Sequence, residues 1–115
     1  MKVSELMVGD WVSYCGFYNK VIYIGQKVSM YNGKGTEFTT DPEYIRPIPL
    51  TEEILVKNGW RKEPITIDGD YANWCGEIPI CQEEDEFNYE RIELTYVHTF
   101  QHLLRLVGVQ KEIEL

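Results

Sequence analysis

The chain has 115 residues, 19 of them acidic against 11 basic, and a formal net charge of -8. That length suits one domain with one modest core, and the apolar and aromatic content excludes disorder of the low-hydrophobicity kind. Residues 1–50 balance Lys2, Lys20, Lys27, Lys34 and Arg46 against Glu5, Asp10, Glu37, Asp41 and Glu43. The whole acidic surplus therefore follows residue 50, where it disfavours unselective contact with phosphate backbones.

The first half reads as short strands. Leu6-Met7-Val8 leads into a Gly9-Asp10 turn, then a strand over Trp11–Cys15. Lys20–Gly25 is β-branched and aromatic, and Gln26–Tyr31 alternates through Val28 and Met30. Asn32-Gly33-Lys34-Gly35 marks a hairpin tip, with a further strand over Glu37–Thr40. Pro47 and Pro49 keep Ile45–Ile48 extended. So many short strands in so few residues predict a small SH3-like barrel or a bent meander.

Thr51-Glu52-Glu53 opens a short helix near 52–58, with Thr51 as cap and Gly59 as a left-handed stop. Apolar positions from Trp60 through Ile65, Ile67, Tyr71, Trp74, Ile78, Ile80, Phe87, Tyr89, Ile92 to Leu94 predict a second antiparallel sheet. Asp68-Gly69-Asp70 and Glu83–Glu86 are its turns. An amphipathic helix follows near 96–107. At about 100° per residue, Tyr96, Phe100, Leu103, Leu104 and Val107 form one arc, and His98, Gln101, His102 and Arg105 lie opposite. Gly108 ends it, and Val109–Leu115 alternates as a C-terminal strand that could pair with a second copy of the chain. The expected class is α+β, one domain over 1–115 with subregions 1–50 and 51–115.

Three segments resemble a known family. They are Glu5-Leu6-Met7-Val8-Gly9-Asp10-Trp11-Val12, then Pro47-Ile48-Pro49-Leu50-Thr51-Glu52-Glu53-Ile54-Leu55 with Gly59-Trp60, then Tyr96-Val97-His98 through Gln101-His102-Leu103 to Gly108. In this order they resemble an uncharacterised family of small proteins from gut bacteria and their phages and conjugative elements. Residues 61–95 lie outside the likeness. It implies a bacterial, mobile-element setting and brings no catalytic residues with it.

Chemistry-bearing patterns are each missing a part. His98 and His102 share a helical face, with Cys75 and Cys81 as candidates to complete a site, but the cysteine spacing is too long for a zinc knuckle and the helix lacks the glutamate base of a zinc protease. A cysteine nucleophile beside His98 lacks an oxyanion loop and an electropositive setting. The run Glu83-Glu84-Asp85-Glu86 lacks the alternate ligands of a calcium loop and reads as a solvated turn. Asn32–Thr36 lacks the phosphate-loop spacing.

No signal peptide or membrane-length apolar run is visible, and three irregularly spaced cysteines do not form a secreted disulfide framework, so a cytoplasmic location without membrane contact is expected. With no catalytic constellation, no cofactor and no metal ligands assigned, the expectation is a non-enzymatic binding or accessory protein with a protein partner. Its candidate recognition residues are Tyr14, Phe17 and Tyr18 of the first half, and the helical set His98, Gln101, His102 and Arg105. Most other aromatics of the first half are expected in its core. Rival readings are nucleic-acid contact through the charge-neutral first half, nucleic-acid mimicry by the acidic half, and a small metal- or Cys/His-dependent enzyme.

Overall fold

Alternation of aliphatic and polar side chains sets the first four strands. β1 (Trp11–Tyr14) turns into β2 (Phe17–Ile24) through Cys15-Gly16, whose φ values of 51° and 80° make a two-residue hairpin turn. β3 (Val28–Tyr31) and β4 (Glu37–Thr40) follow. The hairpin tip between them is held by Asn32 Oδ1, which accepts from the Lys34 and Thr36 amides at 2.7 and 3.3 Å. All neighbours are antiparallel, in the order β1-β2-β3-β4. In this computed structural model, which describes residues 1–68 and 70–115, these strands belong to a compact unit, Met1–Ile48. Its core is aliphatic: Leu6, Val12, Val21, Val28, Met30 and Ile45.

The four strands make an open meander, not a closed barrel. After a 3-10 turn at Pro42–Tyr44, Arg46 returns to the outer edge of β1 and exchanges two backbone bonds with Ser13, each 2.9 Å. One bridge is far less than a closing strand.

The second unit, Pro49–Leu115, begins with α1 (Glu52–Lys57). Thr51 caps it by accepting from the Ile54 amide at 3.3 Å, and Gly59, at φ 94°, turns the chain out of it. Five antiparallel strands follow in sequence order: β5 (Arg61–Pro64), β6 (Tyr71–Cys75), β7 (Ile80–Glu83), β8 (Glu86–Tyr89) and β9 (Ile92–Glu93). Trp60 and Trp74 are buried, and each indole N–H has an acceptor: Ile78 O at 3.0 Å and Gln82 Oε1 at 2.8 Å. Each indole also meets a second ring edge-on, Phe100 for Trp60 and Phe87 for Trp74. α2 (Val97–Leu106) completes the unit.

The expected second antiparallel sheet is present. Of the apolar positions that marked it, Ile65, Ile67, Tyr71 and Ile92 are exposed. Ile65 and Ile67 follow the end of β5 at Pro64, Tyr71 takes the outward register of β6, and β9 is a two-residue edge. The expected turn at Asp68-Gly69-Asp70 includes Gly69, which lies outside the described residues.

The buried face of α2 is rotated from the expected arc. Tyr96 and Val107 are cap residues and are exposed, while His98 and Gln101 are buried beside Val97, Phe100, Leu103 and Leu104. The helical angle does not apply to a cap with extended backbone, as Tyr96 has, so the arc loses its first member.

The tail forms no strand. Its backbone is paired by a side chain instead: Asn58 Oδ1 accepts from the Glu114 amide at 2.7 Å and Asn58 Nδ2 donates to Glu114 O at 2.8 Å. Ile113 is thereby buried, and Lys111 reaches Glu77 at 2.6 Å above the Trp60 ring. Dimerisation through a C-terminal strand loses its element. Among the described residues, no helix is long and apolar enough to cross a membrane.

Candidate functional site

None of the eight aromatic side chains of the first unit (Trp11, Tyr14, Phe17, Tyr18, Tyr23, Tyr31, Phe38, Tyr44) is buried. The expectation that most are core is therefore corrected. The aliphatic core already fills the inner face, and alternation sends much of the aromatic set to the outer one.

The register assembles that outer face. One row crosses all four strands: Trp11, Lys20, Tyr31 and Glu37 are mutual neighbours in that order. The Lys20 ammonium lies 5.3 Å from the Trp11 ring centroid, a cation–π contact that fixes both. On one side lies the row Arg46–Ser13–Tyr18. On the other lies Tyr23–Ser29–Thr39, where the Ser29 and Thr39 hydroxyls meet at 2.9 Å. The Tyr31 hydroxyl accepts from the Gly35 amide at 3.2 Å, which ties this ring to the hairpin tip.

A β-bulge enlarges the face. The register passes from Val21–Met30 to Tyr23–Ser29, so Ile22 has no partner of its own. Ile22 and Tyr23 then both face outward, 40% and 63% exposed. Strict alternation would have buried Tyr23 with Val21, which is why sequence reasoning missed it.

The expected recognition residues separate. Tyr18 is on the outer face and 51% exposed. Phe17 is 70% exposed, but strand alternation puts it on the side opposite Tyr18. Tyr14 packs on the core and meets Phe38 edge-on, with ring centroids 5.8 Å apart. In the second unit His98 and Gln101 are buried, His102 is half-buried and Arg105 is exposed, so these four do not make one wet face. The His98 ring stacks on Tyr96 and meets His102 edge-on at 5.7 Å.

Cys75 and Cys81 lie on the outer side of β6 and β7, one register step apart, and Cys81 Sγ is 3.9 Å from Asn73 Oδ1. Among the described residues, no group of three or more His, Cys, Asp or Glu side chains is placed to hold a metal ion.

The second unit exposes Tyr71 and Tyr96 among many carboxylates. At one end of its sheet a hydrogen bond from the Thr66 hydroxyl holds Asp68 below the ordinary carboxylate value, and the bond with Asp68 and its charge push Asp70 above it. The charge of Glu83 raises the Tyr71 phenol. A cleft of about 200 Å³ lies between Leu50, Phe87 and Leu94, with Asp85, Glu86 and Glu93 at its rim. A shallower groove of about 510 Å³ runs between α1 and the sheet, lined by Glu52, Glu53, Val56, Lys57, Lys62 and Trp74.

Comparison of the chain with family models, with curated proteins and with solved structures finds no match.

Proposed function

We propose that the protein is a non-catalytic binding module whose contact surface is the outer face of the first sheet, and that its partner is a protein. One observation carries this reading: the first unit builds an aliphatic core and leaves Tyr18, Ile22, Tyr23 and Tyr31 outward around the Trp11–Lys20 pair. Exposing rings forgoes burial worth roughly 2 kcal/mol each, a cost a small unit has reason to carry only if a partner covers them.

The chemistry of the face favours protein over nucleic acid. Protein interface centres are rich in Tyr and Trp and poor in charge, and Tyr with Ser or Thr gives rigid anchors beside adaptable hydroxyls. Nucleic acid asks for a cationic excess. Here Lys20 and Arg46 share the unit with five carboxylates, and its formal charge is zero. We also read this unit as SH3-like in form, on the return of Arg46 to β1. A cytoplasmic role in a bacterial mobile element or its host is the setting we attach to this reading, on the family resemblance alone.

The test is capture of partners from a bacterial lysate by the intact chain and by Tyr18→Ser/Tyr23→Ser. Support is a partner held by the parent and lost by the double variant. Equal capture by both would refute the face. Retention of nucleic acid that weakens steeply with salt would favour the rival reading.

A further inference from the structure

The two edges of the first sheet are finished differently. Antiparallel neighbours alternate between pairs that exchange hydrogen bonds and pairs that do not. The Asn32 amide donates to Thr36 O at 3.2 Å, so that pair is bonded. Counting on along the register, Met30–Phe38 and Val28–Thr40 are bonded pairs, and Tyr31–Glu37 and Ser29–Thr39 are not. The close approach of the Ser29 and Thr39 hydroxyls agrees, because side chains lie nearer in non-bonded pairs. The backbone N–H and C=O of Glu37 and Thr39 therefore point away from β3, toward the outer edge. On the opposite edge the same kind of outward groups, those of Ser13, are taken up by Arg46.

The strand Glu37–Thr40 is short and carries one charge, Glu37, but it lacks three of the usual guards of an open edge: it has no lysine, no proline and no register shift against β3. Its side chains also specify what would fit beside it. Glu37 ends the row Trp11–Lys20–Tyr31–Glu37, so a cation placed opposite it continues the row. Phe38 is half-buried on the core side and calls for an apolar neighbour. Thr39 calls for a β-branched one.

We infer that β4 accepts an extended segment of the partner as an added antiparallel strand, reading β-branched, apolar, basic opposite Thr39, Phe38 and Glu37. The inference rests on the protein-binding reading above and gives it a mode, strand addition with main-chain bonds for affinity and alternate side chains for selection. A second copy of the chain fits less well. Self-pairing centred on residue 37 or 39 sets Glu37 opposite Glu37 or Asp41, and pairing centred on Phe38 gives Glu37 only a threonine.

The experiment uses the intact chain and a capped synthetic peptide built on Thr-Val-Lys, followed by amide hydrogen exchange. At about ten times its dissociation constant the peptide should slow exchange at Glu37 and Thr39 about tenfold. Thr39→Pro, which removes an outward donor and no β3 ladder bond, should abolish the effect. Glu37→Lys should lose the Thr-Val-Lys peptide and gain a Thr-Val-Glu one, a swap that a purely structural role would not produce. Unchanged exchange with the peptide, or no preference swap, would overturn the inference. So would concentration-dependent protection of Glu37 and Thr39 in the protein alone with a dimer mass, which would make a second copy the occupant. If the edge fails while Tyr18→Ser/Tyr23→Ser still loses its partner, the binding face stands and only the strand-addition mode falls.

Discussion

The two units of the chain use aromatic side chains in opposite ways. The second unit buries Trp60, Trp74, Phe87 and Phe100, gives each indole N–H an acceptor, and shows solvent its carboxylates. The first unit fully buries only aliphatic side chains in its hydrophobic core, lets Tyr14 and Phe38 pack on its margin, and turns Trp11, Tyr18, Tyr23 and Tyr31 outward on a sheet of balanced charge. Aromatic residues inside a core are explained by packing, whereas rings displayed on one face of a small sheet are not. The contrast teaches that aromatic content alone does not locate a core. In this chain the fully buried rings, Trp60, Trp74, Phe87 and Phe100, all lie in the second unit.

The contrast can be broken most sharply from the second unit. Trp74→Ala removes a buried ring, its contact with Phe87 and its bond to Gln82, and should cost about 3–5 kcal/mol of stability in urea titration. Gly76→Ala comes next. A Cβ there would strike the indole of Trp60 well inside van der Waals contact, and the ring is fixed by its bond to Ile78. A loss of about 1–3 kcal/mol is expected in the same measurement. Thr51→Ala removes the cap of α1 and should cost about 1 kcal/mol.

Glu77→Gln should have a small effect with a definite pH dependence. The hydrogen bond from Lys111 holds the Glu77 carboxyl below its ordinary value of 4.5. Its stabilisation is therefore present above that value and is lost as pH falls through the lower folded value. The pair is partly exposed, so the variant should lose only about 0.2–1 kcal/mol at neutral pH, and its deficit should shrink in acid. A deficit that grows in acid would contradict the assignment. At the bottom of the scale, Tyr23→Ser on the outer face should change stability by no more than about 0.5 kcal/mol, because the ring is 63% exposed.

Local chemistry made much of the fold legible. Thr51, Gly59, Gly108 and the Asn32–Gly35 tip punctuate the chain where the residues dictate. The strand over Glu37–Thr40 lies where alternation places it. Non-local events were not legible. The bulge that turns Tyr23 outward depends on how β2 pairs with β3. The tail reads as a strand because Val109–Leu115 alternates, yet its partner is the amide of Asn58, distant in sequence. His98 reads as a wet helical residue and is buried, its ring stacked on Tyr96 and edge-on to His102. Of the expected recognition residues in the first half, Tyr18 alone shares the outer face with Tyr23 and Tyr31. Sheet sidedness, which the sequence leaves open around a bulge, decides that grouping.

The most direct test of the central claim is a paired surface comparison on the intact chain. Tyr18→Ser/Tyr23→Ser alters exposed rings of the first sheet, and Tyr71→Ser alters an exposed ring of the second. All should melt close to the parent. The account predicts that a partner captured by the parent is lost by the first variant and kept by the second. Loss with Tyr71→Ser and retention with Tyr18→Ser/Tyr23→Ser would place recognition on the second unit and contradict it.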